Sequence, residues 1–349
     1  MSLTRTSPES TTLVLPDLLA HCPYPLHINP HATEVARASE SWLLEHAHLS
    51  PKKRAAFLAL QSGALAALCY PAAPPARLRV VADYMNYLFK LDDWSDELTP
   101  EQVEVLRMRV MGVLYDSSPS MDKVGNDPVA ALTASFFSRL VSNAGPLCVA
   151  RFVSTMEDFF DAVTQQAHDR ICDSVPNLQT YIALRRDTSG CRPCFALVEY
   201  AAGIDLPCSI AEHPCVRTME DAANDVVSWS NDIYSYNVEQ ARGDTHNSVI
   251  IVMREQGLGM QEALNYVGNL CIAAINTFED TRARLPSWGP RIDAGVRAYI
   301  AGLQNWMIGS LHWSFITQRY FGNEGLEVKR KLTVELLPRK VPQVQPVQI

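Results

Sequence analysis

The chain has 349 residues, enough for one large or two ordinary domains, and its 47% apolar content supports a sizeable core. A net charge of −8 argues against nucleic acid as a partner. No stretch approaches the roughly 18 uninterrupted apolar residues of a membrane span.

Residues 1–12 are polar and read as disordered, and residues 11–20 are too weakly apolar, and too broken by Pro16 and Asp17, for a signal peptide. The nine scattered cysteines therefore read as reduced thiols of a cytoplasmic protein. Residues 23–30 read as an extended lead-in. Ala36, Trp42, Leu43 and His46 then share a helical face, and residues 55–70, rich in Ala and Leu, continue as helix. Residues 71–75 are a proline break. Val81, Met85, Leu88 and Asp92 form a face that starts apolar and ends in a carboxylate. Residues 100–116 and 127–142 are further helices, with a loop at 117–126. Helical patterns follow at 151–172, 197–202, 216–239 and 258–285. A turn at 286–290 leads into a last long helix at 292–321. No strand run bounded by hairpin turns, no repeat and no Gly-rich phosphate loop stands out. The pattern predicts an all-α, single-domain helical bundle over residues 26–325. A disordered segment is expected at 1–25, and a proline-bearing tail at 326–349 that orders only on binding.

Two clusters carry oxygen ligands. Asn231, Ser235 and Glu239 fall at i, i+4 and i+8, which stacks an amide oxygen, a hydroxyl and a carboxylate along one helix face. Such a set suits a hard cation such as Mg²⁺, though on spacing alone an exposed polar face reads equally well. One carboxylate holds Mg²⁺ weakly, and a second anion such as a diphosphate would complete the shell. The other cluster is Asp92, Asp93, Asp96 and Glu97. These acids repel one another without a counter-ion, and the C-terminal end of a helix disfavours negative charge. The bland alternative is a solvated acidic helix end. A diphosphate bridged to both clusters by Mg²⁺ satisfies both.

Asp92-Asp93-Trp94-Ser95-Asp96 resembles the DDxxD motif of class I terpene synthases, and Asn231-Asp232-x-x-Ser235-x-x-x-Glu239 resembles their NDxxSxxxE motif. Either alone is a weak match; the pair in this order is specific. The chain is most similar to fungal sesquiterpene synthases, over roughly residues 25–325. The resemblance implies the class I terpenoid synthase bundle, a prenyl diphosphate substrate, most readily farnesyl diphosphate, and three Mg²⁺ ions. Asp92 would be the main ligand of the first cluster, Asp93 and Asp96 less directly so, and Asn231, Ser235 and Glu239 would form the second. It also implies a diphosphate sensor, linker and effector where Thr188, Ser189, Gly190 and Pro193 interrupt a helical pattern. Arg186 is assigned as sensor, Ser189 as linker and Gly190 as effector, with the choice of Arg186 over Arg185 resting on family spacing.

Arg319-Tyr320 resembles the family's RY pair, which hydrogen-bonds the diphosphate. Tyr299, Trp306, Trp313 and Tyr320 recur every seven residues, a stripe that is ordinary core or, with Phe89, the aromatic wall of a cation-binding cavity. One departure is Val238, where some relatives carry Lys or Arg; Arg242 is the nearest substitute. A monomer or homodimer is expected. The rival readings are a prenyl-chain elongase, disfavoured by Ser235 and Glu239 where an aspartate-rich second motif would stand, and a non-enzymatic isoprenoid-binding protein. The lone CxxC at Cys191 and Cys194 lacks the second pair of a zinc site.

Overall fold

Capping residues set where many helices begin. Ser50, Thr99 and Asp127 each accept a backbone N–H with the side chain, and a proline follows at the first helical position of each. The computed structural model describes residues 12–47, 49–95, 98–116, 118–125, 127–172 and 174–339. In chain order the helices are α1 (Leu18–His21), α2 (Ala32–His46), α3 (Pro51–Leu60), α4 (Ser62–Cys69), α5 (Pro75–Ser95) and α6 (Pro100–Leu114). Next come α7 (Pro128–Val141), α8 (Pro146–Ile171), α9 (Leu178–Thr188), α10 (Cys191–Ala202), α11 (Cys208–Ala211) and α12 (Pro214–Arg242). The last are α13 (Ser248–Gln256), α14 (Met260–Arg282), α15 (Pro290–Trp313), α16 (Gln318–Phe321) and α17 (Gly325–Lys331). The fold is all-α, as the helical periodicity predicts.

α12 packs along α14 and α15, α8 along α6 and α10, and α5 against α2, α4 and α10. Tyr84 on α5 stacks edge-on to Phe152 on α8, with ring centroids 5.0 Å apart, and both rings meet Phe136 on α7. These apolar faces leave α5, α9, α10, α12 and α15 around one central cavity. Among the described residues no helix is long and apolar enough to cross a membrane. All nine cysteines are free thiols.

The structure departs from the sequence reading in several places, and α13 is a helix between the patterns at 216–239 and 258–285. Residues 55–70 are two helices, because Gln61 takes a left-handed conformation at φ 54°. Behind it α4 is buried, with Gly63 so close to α2 that an added Cβ would lie 2.5 Å from that of Ala36. The last long helix ends at Trp313. Thr317 then caps the separate turn α16, its hydroxyl accepting the Arg319 N–H at 3.2 Å, so Arg319 and Tyr320 leave the helix that carries Trp313. The chain also has strands: β1 (Thr12–Val14) pairs antiparallel with β2 (Thr333–Glu335). Gln261 clasps both the N–H and the C=O of Val14, while Asn237 and Gln240 of α12 donate to the carbonyls of Glu335 and Leu337. Parts of the two segments expected outside the bundle are thus built onto it, through side chains far away in sequence.

Candidate active site

α12 presents one polar face. Asp221, Asn224, Asp225, Ser228, Asn231, Asp232, Ser235 and Glu239 follow one another at helical spacing. Arg185 of α9 reaches this face, with Nη2 donating to Asn231 Oδ1 at 3.0 Å and Nε to Asp232 Oδ1 at 3.2 Å. Asn231 Nδ2 donates to the Tyr320 hydroxyl at 2.5 Å. Asp232 is buried and also accepts from the Tyr181 hydroxyl at 2.7 Å and the Ser248 N–H at 3.0 Å. The Glu239 carboxylate accepts from Asn247 Nδ2 at 2.9 Å. Burial, and then the Asp232 charge, push the Glu239 carboxyl above its ordinary value, against the opposing pull of Asn247, Ser235 and Arg319.

The end of α5 faces this set. Asp92 stands 3.7 Å from Arg319 Nη2. Asp93 is more exposed and lies 3.4 Å from Lys90 Nζ. Asp96 and Glu97 lie outside the described residues. The Arg319 guanidinium sits 5.7 Å from the centroid of the Phe89 ring, which packs on Trp313 at 5.6 Å. Trp313 is fixed from behind, its indole N–H shared between the carbonyls of Leu60 and Gln61 at 3.2 and 3.0 Å.

Below this ring of polar groups the cavity is apolar. Leu65, Met85, Leu88, Phe159, Val227 and Trp306 wall it; Asp92, Arg185, Asn231, Arg319 and Tyr320 stand at its rim. Trp306 and Trp313 both line it, whereas Tyr299 bonds to Glu220 elsewhere and is ordinary core. Ser235, Glu239, Val238 and Arg242 border the adjoining polar recess, together with Asp92 and Asp93.

The helix break is where the sequence placed it. α9 ends at Thr188, Gly190 takes φ +67°, α10 starts at Cys191, and residues 188–191 line the cavity. A Cβ at Gly190 would come within 2.8 Å of Leu88 Cδ2. Gly190→Ala is therefore expected to lower stability by about 1–2 kcal/mol from the left-handed backbone alone, read from the urea midpoint.

Arg186, assigned as sensor by the resemblance, is placed by the structure on the acids of α12. Its Nε and Nη2 form a bidentate pair with Asp225 at 2.8 and 2.7 Å, and Nη1 reaches Asp221 at 3.1 Å. It does not line the cavity; Arg185 does. Neighbours on a helix point about 100° apart, and here Arg185 meets Asn231 and Asp232 while Arg186 meets Asp221 and Asp225. The sequence named Asp232 only as part of the second motif, and Tyr181 and Asn247 not as site residues. For Asn247 the available signal was its place as N-cap of α13.

Among the described residues no three His, Cys, Asp or Glu side chains converge as a self-sufficient metal site. The donors are instead divided: the Asp92 carboxylate on α5, and the amide, hydroxyl and carboxylate oxygens of Asn231, Ser235 and Glu239 on α12. All are hard oxygen donors, the set a divalent ion such as Mg²⁺ accepts when an anionic substrate supplies the rest. The raised Glu239 carboxyl fits this chemistry, because a bound cation would offset the burial that raises it.

Residues 83–277 match the family described as terpene synthase family 2, C-terminal metal binding, and that span holds Asp92, Arg185, Asn231, Ser235 and Glu239. Sesquiterpene synthase 1 of Postia placenta is 48% identical over 330 residues, covering 95% of this chain and 96% of its own. Alpha-muurolene synthase of Coprinopsis cinerea is 47% identical over 337 residues, covering 95% of this chain and 79% of its own. Among solved structures, germacradien-4-ol synthase from Streptomyces citricolor superposes with a TM-score of 0.73 at 26% identity, over 84% of this chain and 96% of that one. The chain belongs to the terpene synthase family, as its two motifs indicate. It is an enzyme of the terpene cyclase class, with the metal-binding domain of that family.

Proposed function

We propose that the chain is a Mg²⁺-dependent sesquiterpene synthase acting on farnesyl diphosphate. The observation that carries this reading is the convergence of Asp92, Arg185, Asn231, Arg319 and Tyr320 on the rim of one apolar, aromatic-lined cavity. Mg²⁺, three ions by family resemblance, held by Asp92 and by Asn231, Ser235 and Glu239, would neutralise the diphosphate as it leaves. Arg185 takes the sensor role first given to Arg186, and Arg319 and Tyr320 donate to the same group. Placing these donors where charge develops lowers the barrier to breaking the allylic C–O bond, whose electron pair departs with the diphosphate.

The remaining allyl cation lies among apolar walls. Phe89, Trp306 and Trp313 offer aromatic faces, worth about 2 kcal/mol or more to a desolvated cation. Ser189 and Gly190, at the helix break, border the same space. Excluding water lets the chain cyclise before it is quenched. Loss of a proton then gives a hydrocarbon, and capture of water an alcohol.

The test is product analysis. Purified protein with farnesyl diphosphate and Mg²⁺ is expected to release a volatile C15 terpene, seen by gas chromatography with mass spectrometry, and chelator is expected to stop it. Adding isopentenyl diphosphate should leave chain length unchanged. Accumulation of a longer prenyl diphosphate with no volatile would replace the cyclase reading with the elongase.

A further inference from the structure

The helix break that borders the cavity has a support of its own. In an unbroken helix the Arg186 carbonyl would accept the Gly190 N–H. Gly190 instead donates to the Asp187 carbonyl at 3.3 Å, which leaves the Arg186 carbonyl without its helical partner. Asn224 supplies one: its Nδ2 donates to the Arg186 carbonyl at 2.7 Å. The Ser189 hydroxyl also lies near that carbonyl, at 3.1 Å, and near Asn224 Oδ1, at 2.9 Å. It has a single proton for these two acceptors, so the amide is the dependable donor. Asn224 Oδ1 accepts from Ser228 at 2.8 Å as well, and the residue is 1% exposed. Its amide orientation is set by the network, because the Arg186 carbonyl can only accept. On either side of Asn224, Asp221 and Asp225 grip the Arg186 guanidinium. The first half of the polar face of α12 therefore holds the break, and the second half carries the candidate metal ligands.

We propose that Asn224 is a positioning residue for the reaction: its amide stands in for the missing helical N–H and so sets the shape that residues 188–190 present to the cavity. The inference rests on the terpene synthase reading of the cavity. Asn224→Asp keeps the size and the acceptor for Ser189 and Ser228 but replaces the donor with a second oxygen facing a carbonyl. The break should then relax, changing the wall against which the cation folds.

Two measurements decide it. The first is the product ratio in a single turnover with farnesyl diphosphate. Unfolded molecules make no product, so a purely structural loss cannot move this ratio. In Asn224→Asp the minor products are expected to rise several-fold, with kcat down by about tenfold and KM within about twofold of wild type. Ser189→Ala, which leaves the amide in place, should shift the ratio less. The second is amide hydrogen exchange across residues 188–194, which requires no substrate and is expected to quicken about tenfold or more in Asn224→Asp. Asn224→Ala takes its place in both measurements if the aspartate variant does not fold. Wild-type exchange in a folded variant overturns the assignment, as does a wild-type product ratio. A wild-type protein that makes no terpene counts against the sesquiterpene reading, while the exchange measurement still decides the support of the break.

Discussion

Arg185→Lys is expected to slow single-turnover diphosphate release by about 10²–10³-fold, the usual cost of removing one well-placed donor from a developing anion. The guanidinium of Arg185 is presented to the cavity rim by two acceptors of α12, Asn231 and Asp232. A lysine keeps the charge but cannot hold both of these bonds and also aim a donor at the phosphate. Arg186→Lys serves as the contrast. Its fork is spent on Asp225 and Asp221, away from the cavity. That change should cost about 1.5–3 kcal/mol of stability, the range for hydrogen bonds to charged groups, and slow release less than about tenfold. Rapid-quench assays and urea unfolding of both variants separate the two roles. If Arg186→Lys loses turnover while Arg185→Lys keeps it, Arg186 returns as the diphosphate contact.

The proposed ligand residues were readable because their chemistry is local. Asn231, Ser235 and Glu239 need only a helix to share a face, and the apolar pattern of residues 216–239 supplied one. Asp92 is likewise placed by the face it shares with Val81, Met85 and Leu88. The orientation of Arg185 and Arg186 was not readable in this way. It depends on which acid of α12 stands opposite, and Asp225 lies 39 residues downstream of Arg186. The stop at Trp313 was hidden because apolar periodicity continues through Tyr320 with neither Gly nor Pro at residues 314–317. The break rests on side-chain bonds, with Ser314 donating back to the Ser310 carbonyl and Thr317 capping the next turn. The β1–β2 pair is three residues a side, too short for an alternation signal, and exists through its anchors on α12 and α14.

Glu239→Gln is expected to reduce turnover by about 10²–10³-fold, yet to leave the metal-free protein at least as stable as wild type. Folding raises the Glu239 carboxyl, first by burial and then by the Asp232 charge. A carboxyl raised on folding favours the folded state while protonated, and that advantage is lost as pH climbs past the unfolded value of about 4.3 and through the raised folded value. In chelator, at a pH above the raised folded value, wild type therefore carries a buried charge that glutamine lacks, and the variant should melt at an equal or higher Tm. The difference should narrow as pH falls through the raised folded value and the carboxyl takes up its proton. Adding Mg²⁺ and inorganic diphosphate should reverse the order. A ligand at about 100 times its Kd stabilises the folded state by about 2.7 kcal/mol, which wild type should gain and the variant should largely forfeit. Melting curves with and without metal, at pH below and above the raised folded value, measure both effects on one pair of proteins. The same metal-induced rise in Tm for wild type and variant would remove Glu239 from the ligand set, because a side chain that holds the cation must lose part of that rise with its charge.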